Sequence, residues 1–203
     1  VIRTPLLLLT FLLVTPPLAL TVIVAAALGV QDRPGGIYDW ASTTFCKALN
    51  FVGGVRIVEH GRERVTDGQA HVLAMNHVSW FDVFVLASIL PHHKFVAKAE
   101  LKKIPIFGPG ATAWGVIWVE RENRKQAFAS YEEAAQRIRN GVNVVVAPEG
   151  TRGDSYALRP FKKGPFVLAI AAQVPVIPVL LYGTREVMPK GRWRLRAGTV
   201  QLR

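Results

Sequence analysis

Hydrophobic and polar positions divide the chain into three regimes. From Pro5 to Val30 the sequence is almost uninterruptedly apolar and holds no charged residue. From Ile37 to Val52, the apolar residues Ile37, Trp40, Ala41, Phe45, Ala48, Leu49 and Val52 recur at the spacing of one helix face. Beyond that point short apolar runs alternate with helix-period segments. Val55–Glu59, Val72–Met75, Phe95–Ala97, Val116–Val119, Val142–Ala147, Val176–Leu181 and Thr199–Leu202 read as strands. Ala127, Phe128, Tyr131, Ala134, Ala135 and Ile138 mark a helix, and Asn140-Gly141 supplies its C-cap. Gly164-Pro165 starts another helix, with proline near the first turn. Its Phe166–Ala172 run is apolar all round, which predicts a buried helix. The pattern predicts an α/β fold: a central, mostly parallel or mixed sheet flanked by helices, preceded by an N-terminal membrane-associated helical segment. The expected division is residues 1–52 for the anchoring helices and 53–203 for the domain that follows.

The apolar head has three readings: a signal peptide, a spanning helix or an in-plane anchor. Ala25-Ala26-Ala27 resembles a cleavage site, but the run is longer than a signal's hydrophobic region. Twenty-six helical residues would extend roughly 39 Å, enough to cross a hydrocarbon core with tilt. Pro16-Pro17 interrupts the run and predicts a kink or break. Tyr38 and Trp40 suit the headgroup level. The expectation is a kinked helix with an amphipathic partner, dipped into or crossing one membrane.

Composition sharpens this picture. The 203 residues suit one domain with an accessory segment, and 50% hydrophobic content is high for a purely soluble protein. Arg3 is the only charge in the first thirty positions, so nearly all of the net charge of +11 sits in the body. A basic body behind an apolar head suggests anionic surfaces or ligands, and a domain on the cytoplasmic face of the membrane. Lys102-Lys103 and Lys162-Lys163 are scattered doublets that suit lipid headgroups better than nucleic acid. Cys46 is the only cysteine, which excludes an intrachain disulfide. The chain lacks an initial methionine and stops at Arg203 inside an expected strand, so it reads as a C-terminally truncated fragment.

Candidate chemistry begins with His77 and Asp82 in Asn76-His77-Val78-Ser79-Trp80-Phe81-Asp82. A histidine and a carboxylate are the parts needed to take a proton from a hydroxyl, as in hydrolase triads. No convincing serine or cysteine nucleophile accompanies them, which points to a base acting on the substrate's own hydroxyl. Residues five apart lie about 140° from each other on a helix. The two can meet only if His77 lies in a turn and Asp82 in the first helical turn. Ser79-x-x-Asp82 offers that boundary as a capping-box-like pattern. The same pattern supports a rival in which Asp82 merely caps the helix and His77 merely closes a strand.

Three further blocks follow. Pro148-Glu149-Gly150-Thr151-Arg152 places a glycine and an arginine fork, suited to phosphate, after a strand. Gly115-Val116-Ile117-Trp118-Val119-Glu120-Arg121 is a strand that ends on an arginine, and Val174-Pro175-Val176-Ile177-Pro178 is a rigid strand entry. The polar blocks all follow strands, where open α/β sheets bind ligands. His92-His93 reads as a polar loop after Pro91, with no nearby residue to complete a metal set. Gly108-Pro-Gly-Ala-Thr-Ala113 imitates a dinucleotide fingerprint without its strand-to-helix context. Gly153-Asp154-Ser155 imitates a hydrolase block, but stands late in the chain without that family's other blocks.

In this order the four blocks resemble the glycerolipid acyltransferase family, whose best-known members are the 1-acyl-sn-glycerol-3-phosphate acyltransferases. The resemblance runs from about Gly54 to Val200. Trp118, Glu120 and Ala147 stand where the family more often has Phe, Asp and Phe. The resemblance implies that 53–203 is an acyltransferase domain, with His77 the general base and Asp82 its partner. It implies that Arg152, Arg121 and Lys98 hold the acceptor's phosphate, with Glu149, Gly150 and Thr151 shaping the pocket. The acyl donor would be a thioester on coenzyme A or acyl carrier protein, the acceptor lysophosphatidic acid and the product phosphatidic acid. No cofactor, metal or nucleic acid is implied. Rival readings are another acceptor (glycerol-3-phosphate, another lysophospholipid, a lyso-ornithine lipid), a lipid hydrolase or transacylase, and an inactive membrane-binding protein.

Overall fold

A computed structural model describes residues 2–65, 69–120 and 124–203, excluding the side chains of 124–128. Helix α1 (Arg3–Ala27) is followed by α2 (Ile37–Gly53), which Gly54 ends in the left-handed region at φ 68°. Two sheets follow. Five parallel strands stand in the order β4 (Ile117–Val119), β3 (His93–Lys98), β5 (Asn143–Val146), β2 (Val72–Met75), β6 (Val176–Val179). A smaller mixed sheet has β8 (Gly198–Leu202) between β1 (Val55–Glu59) and β7 (Leu181–Tyr182). The helices are α3 (Phe81–Ile89), α4 (Phe107–Trp114), α5 (Arg124–Arg139), α6 (Gly164–Ala172) and a short α7 (Thr184–Val187).

Strand pleating explains how one sheet serves two cores. Val72, Val144 and Val146 face α5 and α6, together with Ala134, Ala135, Ile138, Leu168 and Ala169. The alternate residues Leu73, Met75 and Val145 face the opposite layer, with Leu49, Phe81, Val85 and Leu86 of α2 and α3. Burial of each such large side chain contributes about 1.5–3 kcal/mol.

Five local expectations require correction. The doublet Pro16-Pro17 does not break α1, which runs through it as one helix. The expected strand Val176–Leu181 divides at Leu180 into β6 and β7 of different sheets. Its cause is Asn76: Oδ1 accepts from the Leu181 N–H at 2.7 Å, and Nδ2 donates to the Leu181 carbonyl at 3.0 Å. The side chain thus replaces the ladder beyond Val179. Helix α6 is not buried all round, because Phe166, Val167 and Ile170 are exposed on its outer face. Tyr38 is buried rather than at a headgroup level, donating to the Val30 carbonyl at 3.0 Å, whereas Trp40 is exposed. Ala127 and Phe128, part of the predicted α5 face, have side chains outside the described residues.

The pair His92-His93 is also not a polar loop. Both are buried, and His93 opens β3. His92 Nδ1 lies 3.1 Å from Asp39, and Lys94 Nζ lies 2.9 Å from Asp32. These contacts fasten the α1–α2 connection to the sheet. Ligand atoms of Asp32, Asp39 and His92 fall within 4.8 Å of one another, a spacing a metal could use. The Lys94 ammonium already supplies positive charge there. His93 packs edge-on against Phe95 and Trp114, and neither ring nitrogen has a partner.

Burial lowers the His93 pKa from 6.5 to about 4, with Lys94 adding to the shift. Between those values the unfolded chain binds more protons than the folded one. Stability is therefore complete above pH 6.5 and declines as pH falls toward 4, by on the order of 3 kcal/mol. Urea unfolding midpoints at pH 7 and pH 4.5 check this. His93→Leu is expected to flatten that part of the slope, and an unchanged slope refutes the assignment.

Candidate active site

His77 lies in the turn between β2 and α3, and Asp82 is the second residue of α3. The spacing thus resolves as the sequence requires: turn first, helix second. The His77 Nδ1 and Asp82 Oδ2 atoms are 2.8 Å apart. The same oxygen accepts from the Val78 N–H at 2.7 Å and from the Ser79 N–H at 2.8 Å. Ser79 Oγ accepts from the Phe81 N–H at 3.1 Å and donates to the Met188 carbonyl at 2.7 Å. Asp82 is therefore both a cap and the partner of His77. It is fully buried, whereas the His77 side chain keeps 16% exposure toward a cavity. With Nδ1–H donating to Asp82, the lone pair of His77 is on Nε2. Such a ring can accept a proton.

The cavity has a volume of about 450 Å³ and is mostly apolar. Its polar end is formed by His77, Lys98, Gly150, Thr151 and Arg152. It continues between α1, α2, α3 and α4 past Phe45, Phe84 and Trp118 to Leu18, Val22 and Trp114. Helix α1 approaches α4 so closely that a Cβ at Gly110 would stand 2.6 Å from that of Ala19.

Arg152 is half-buried, with its guanidinium carbon 4.6 Å above the Trp80 ring. Stacking of this kind is worth about 0.5–2 kcal/mol and fixes the plane of the fork. Burial lowers the Arg152 pKa and the Asp82 carboxylate opposes that shift, so the group stays charged. Trp80 has no role in the sequence reading beyond membership of its block. Its only signal there is its position between the cap residue and the helix.

The remaining expected site residues fall into three groups. Gly150 and Thr151 border the cavity, with Gly150 at φ 74° and a hypothetical Cβ 3.3 Å from Lys162 Cγ. Lys98 stands at the rim, exposed and paired with Glu100 at 3.0 Å. Glu149 is buried behind the site: Oε1 accepts from the His77 N–H at 3.2 Å and Oε2 from the Arg159 N–H at 3.0 Å. It therefore holds the turn that carries His77 instead of lining the cavity. Arg121 lies outside the described residues. Cys46 borders the cavity, but burial pushes its thiol pKa up, which disfavours the nucleophilic thiolate.

A family model described as Acyltransferase matches residues 56–182. The 1-acyl-sn-glycerol-3-phosphate acyltransferase BAT2, chloroplastic, of Brassica napus is 34% identical over 120 residues, covering 59% of this chain and 35% of that protein. The putative 1-acyl-sn-glycerol-3-phosphate acyltransferase acl-2 of Caenorhabditis elegans is 36% identical over 153 residues, 74% of this chain and 54% of that protein. The chain thus spans about a third to just over half the length of these relatives. The crystal structure of the 1-acyl-sn-glycerophosphate (LPA) acyltransferase PlsC from Thermotoga maritima matches with a TM-score of 0.78 at 27% identity. It covers 99% of this chain and 83% of that one.

Proposed function

The chain belongs to the acyltransferase family, and from that membership we propose that it acylates the free sn-2 hydroxyl of a 1-acyl-glycerol-3-phosphate to give phosphatidic acid. The donor is an acyl thioester on coenzyme A or acyl carrier protein. One observation carries the reading: His77, held by Asp82, borders the same apolar cavity as Arg152. A base, a phosphate-binding fork and room for an acyl chain then converge on one point.

The step is a direct transfer. As the acceptor hydroxyl attacks the thioester carbonyl, His77 Nε2 takes its proton. The tetrahedral intermediate collapses, the carbon–sulfur bond breaks, and the departing sulfur receives the proton from the imidazolium. An ester replaces a thioester, with no redox change and no cofactor consumed. General-base help is worth roughly 10²- to 10⁴-fold, and holding the reactants together adds to it. Asp82 stabilises the imidazolium while Arg152 binds the acceptor phosphate, with Lys98 and Arg121 contributing further positive charge.

The cavity's long apolar wall suits the acyl chain, and α1 supplies part of that wall. Helix α1 is long and apolar enough to cross a bilayer by length and composition. Its attachments favour an in-plane anchor. Arg3 Nη1 donates to the Val52 carbonyl, Thr4 Oγ1 accepts from the Leu195 N–H, and the middle of the helix lies against α4. The helix is flush with the domain along its length, leaving Leu9, Leu12, Leu13 and Leu20 exposed on its back. This geometry suits burial in one leaflet, with the domain on the cytoplasmic face.

The test is purified protein, a labelled acyl thioester, and acceptors with and without phosphate. Product with 1-acyl-glycerol-3-phosphate and none with monoacylglycerol supports the reading; transfer to water instead of the acceptor refutes it. Arg152→Ala is expected to weaken use of the phosphorylated acceptor roughly 10- to 150-fold, from about 1.5–3 kcal/mol for a charged hydrogen bond. An unchanged acceptor dependence refutes the clamp.

A further inference from the structure

The outer face of α6 and the segment leading into it are the most unusual surface outside the cavity. Residues 155–185 contain no acidic side chain but include Arg159, Lys162, Lys163 and Arg185. Residues 157–163 are exposed throughout. Leu158 and Ile170 are 61% and 76% exposed, and Phe161, Phe166 and Val167 are exposed beside them. The rings of Phe161 and Phe166 stack at 6.1 Å, joining the segment to the helix. Among the described residues, no acidic side chain pairs with the side-chain cations of Arg159, Lys162 and Lys163.

This surface is fixed relative to the active site. The Lys162 N–H donates to the Pro148 carbonyl at 2.7 Å. The Arg159 N–H donates to Glu149, whose other oxygen receives the His77 N–H. The chain leaves β5 at the carboxyl edge of the sheet, passes Arg152 and enters α6 from that edge. Leu158, Phe161, Phe166 and the cations therefore border the edge that carries His77, while Ile170 lies toward the other end of α6, where Arg139 Nη1 donates to the Ala171 carbonyl at 2.9 Å.

We propose that residues 158–166 form a second membrane-contact site, separate from α1 and α2. Its apolar side chains enter the headgroup boundary of an anionic leaflet, and Arg159, Lys162 and Lys163 meet the lipid phosphates. An apolar centre with a basic rim is the composition of an interfacial segment. A second copy of the chain fits less well, because a two-fold contact would bring the same unpaired cations together. The assignment rests on the reading that the substrates are membrane lipids. It would fix which edge of the sheet faces the bilayer.

The experiment uses the full chain. Cys46 is buried, so an environment-sensitive fluorophore placed at the exposed Leu158→Cys labels selectively. Asn140→Cys, at the far end of α5 and the opposite edge of the sheet, is the control. Vesicles contain phosphatidylglycerol with a nitroxide-bearing lipid, or phosphatidylcholine with the same quencher. Quenching at 158 but not at 140, strongest with phosphatidylglycerol, supports the site. Lys162→Gln with Lys163→Gln is expected to lower the segment's bound-to-free ratio roughly 25-fold, at about fivefold for each cation. No quenching at 158 in protein that floats with the vesicles overturns the site, as does equal quenching by both lipids. Self-quenching without lipid also overturns it, in favour of a second copy. Acyl transfer is assayed in the same samples. Its absence counts against the proposed reaction, while the quenching decides the contact independently.

Discussion

Replacing His77 with alanine is expected to lower acyl transfer by roughly 10²- to 10⁴-fold at saturating donor and acceptor. Magnitude follows from the lack of a substitute at the polar end of the cavity. Lys98 is held by Glu100, and Arg152 stays protonated. Cys46 is buried with its thiol pKa raised. With His77 gone, no histidine among the residues that line the cavity remains to accept a proton from Thr151. The loss belongs in turnover rather than acceptor affinity, because Nε2 acts on the hydroxyl during attack. Circular dichroism and urea unfolding of the variant establish that it is folded. Turnover within tenfold of the parent in a folded variant would remove His77 from the chemistry.

How much was legible in the sequence depended on whether the determinant was local. Strands β1, β2 and β8 follow the apolar runs closely, because period and strand length are read within a few residues. The turn-then-helix placement of His77 and Asp82 was also legible, since helix geometry forbids their meeting on one continuous helix. Contacts made by distant chain segments were not. Glu149 looked like a wall of the phosphate pocket, yet its carboxylate is occupied by two backbone N–H groups, one of them 72 residues away. The division at Leu180 depends on Asn76, which bonds Leu181 from 105 residues earlier. Helix α6 reads as buried because an all-apolar run does not reveal that the sheet covers only one side. The loop expected at His92-His93 came from Pro91, but Asp39 and the edge-on aromatic rings draw both histidines inward. In α1, the proline doublet removes two backbone donors without ending the helix, which α2 and α4 support along one side.

The sharpest test of the dyad is a pair of variants that separates its two structural roles. Asp82→Asn keeps the side-chain shape but removes the charge that stabilises the His77 imidazolium and favours the Nδ1–H tautomer. Its expected cost in turnover is roughly 10²- to 10⁴-fold, the upper end being that of the corresponding change in a hydrolase triad. It also weakens the cap on the Val78 and Ser79 N–H groups, by about 0.5–2 kcal/mol on the scale of helix caps. Ser79→Ala disturbs the same turn from the other side. It removes the bonds to the Phe81 N–H and the Met188 carbonyl while leaving the contact between His77 and Asp82 intact. Leaving those buried groups unpaired is expected to cost about 1–3 kcal/mol, with turnover of the folded protein nearly unchanged. Urea midpoints and single-turnover rates, measured on both variants, check the two axes independently. If Asp82 only caps the helix, both variants lose stability and neither loses turnover. If it also serves the base, turnover separates them by two orders of magnitude or more, because one oxygen atom holds the turn and the imidazole together.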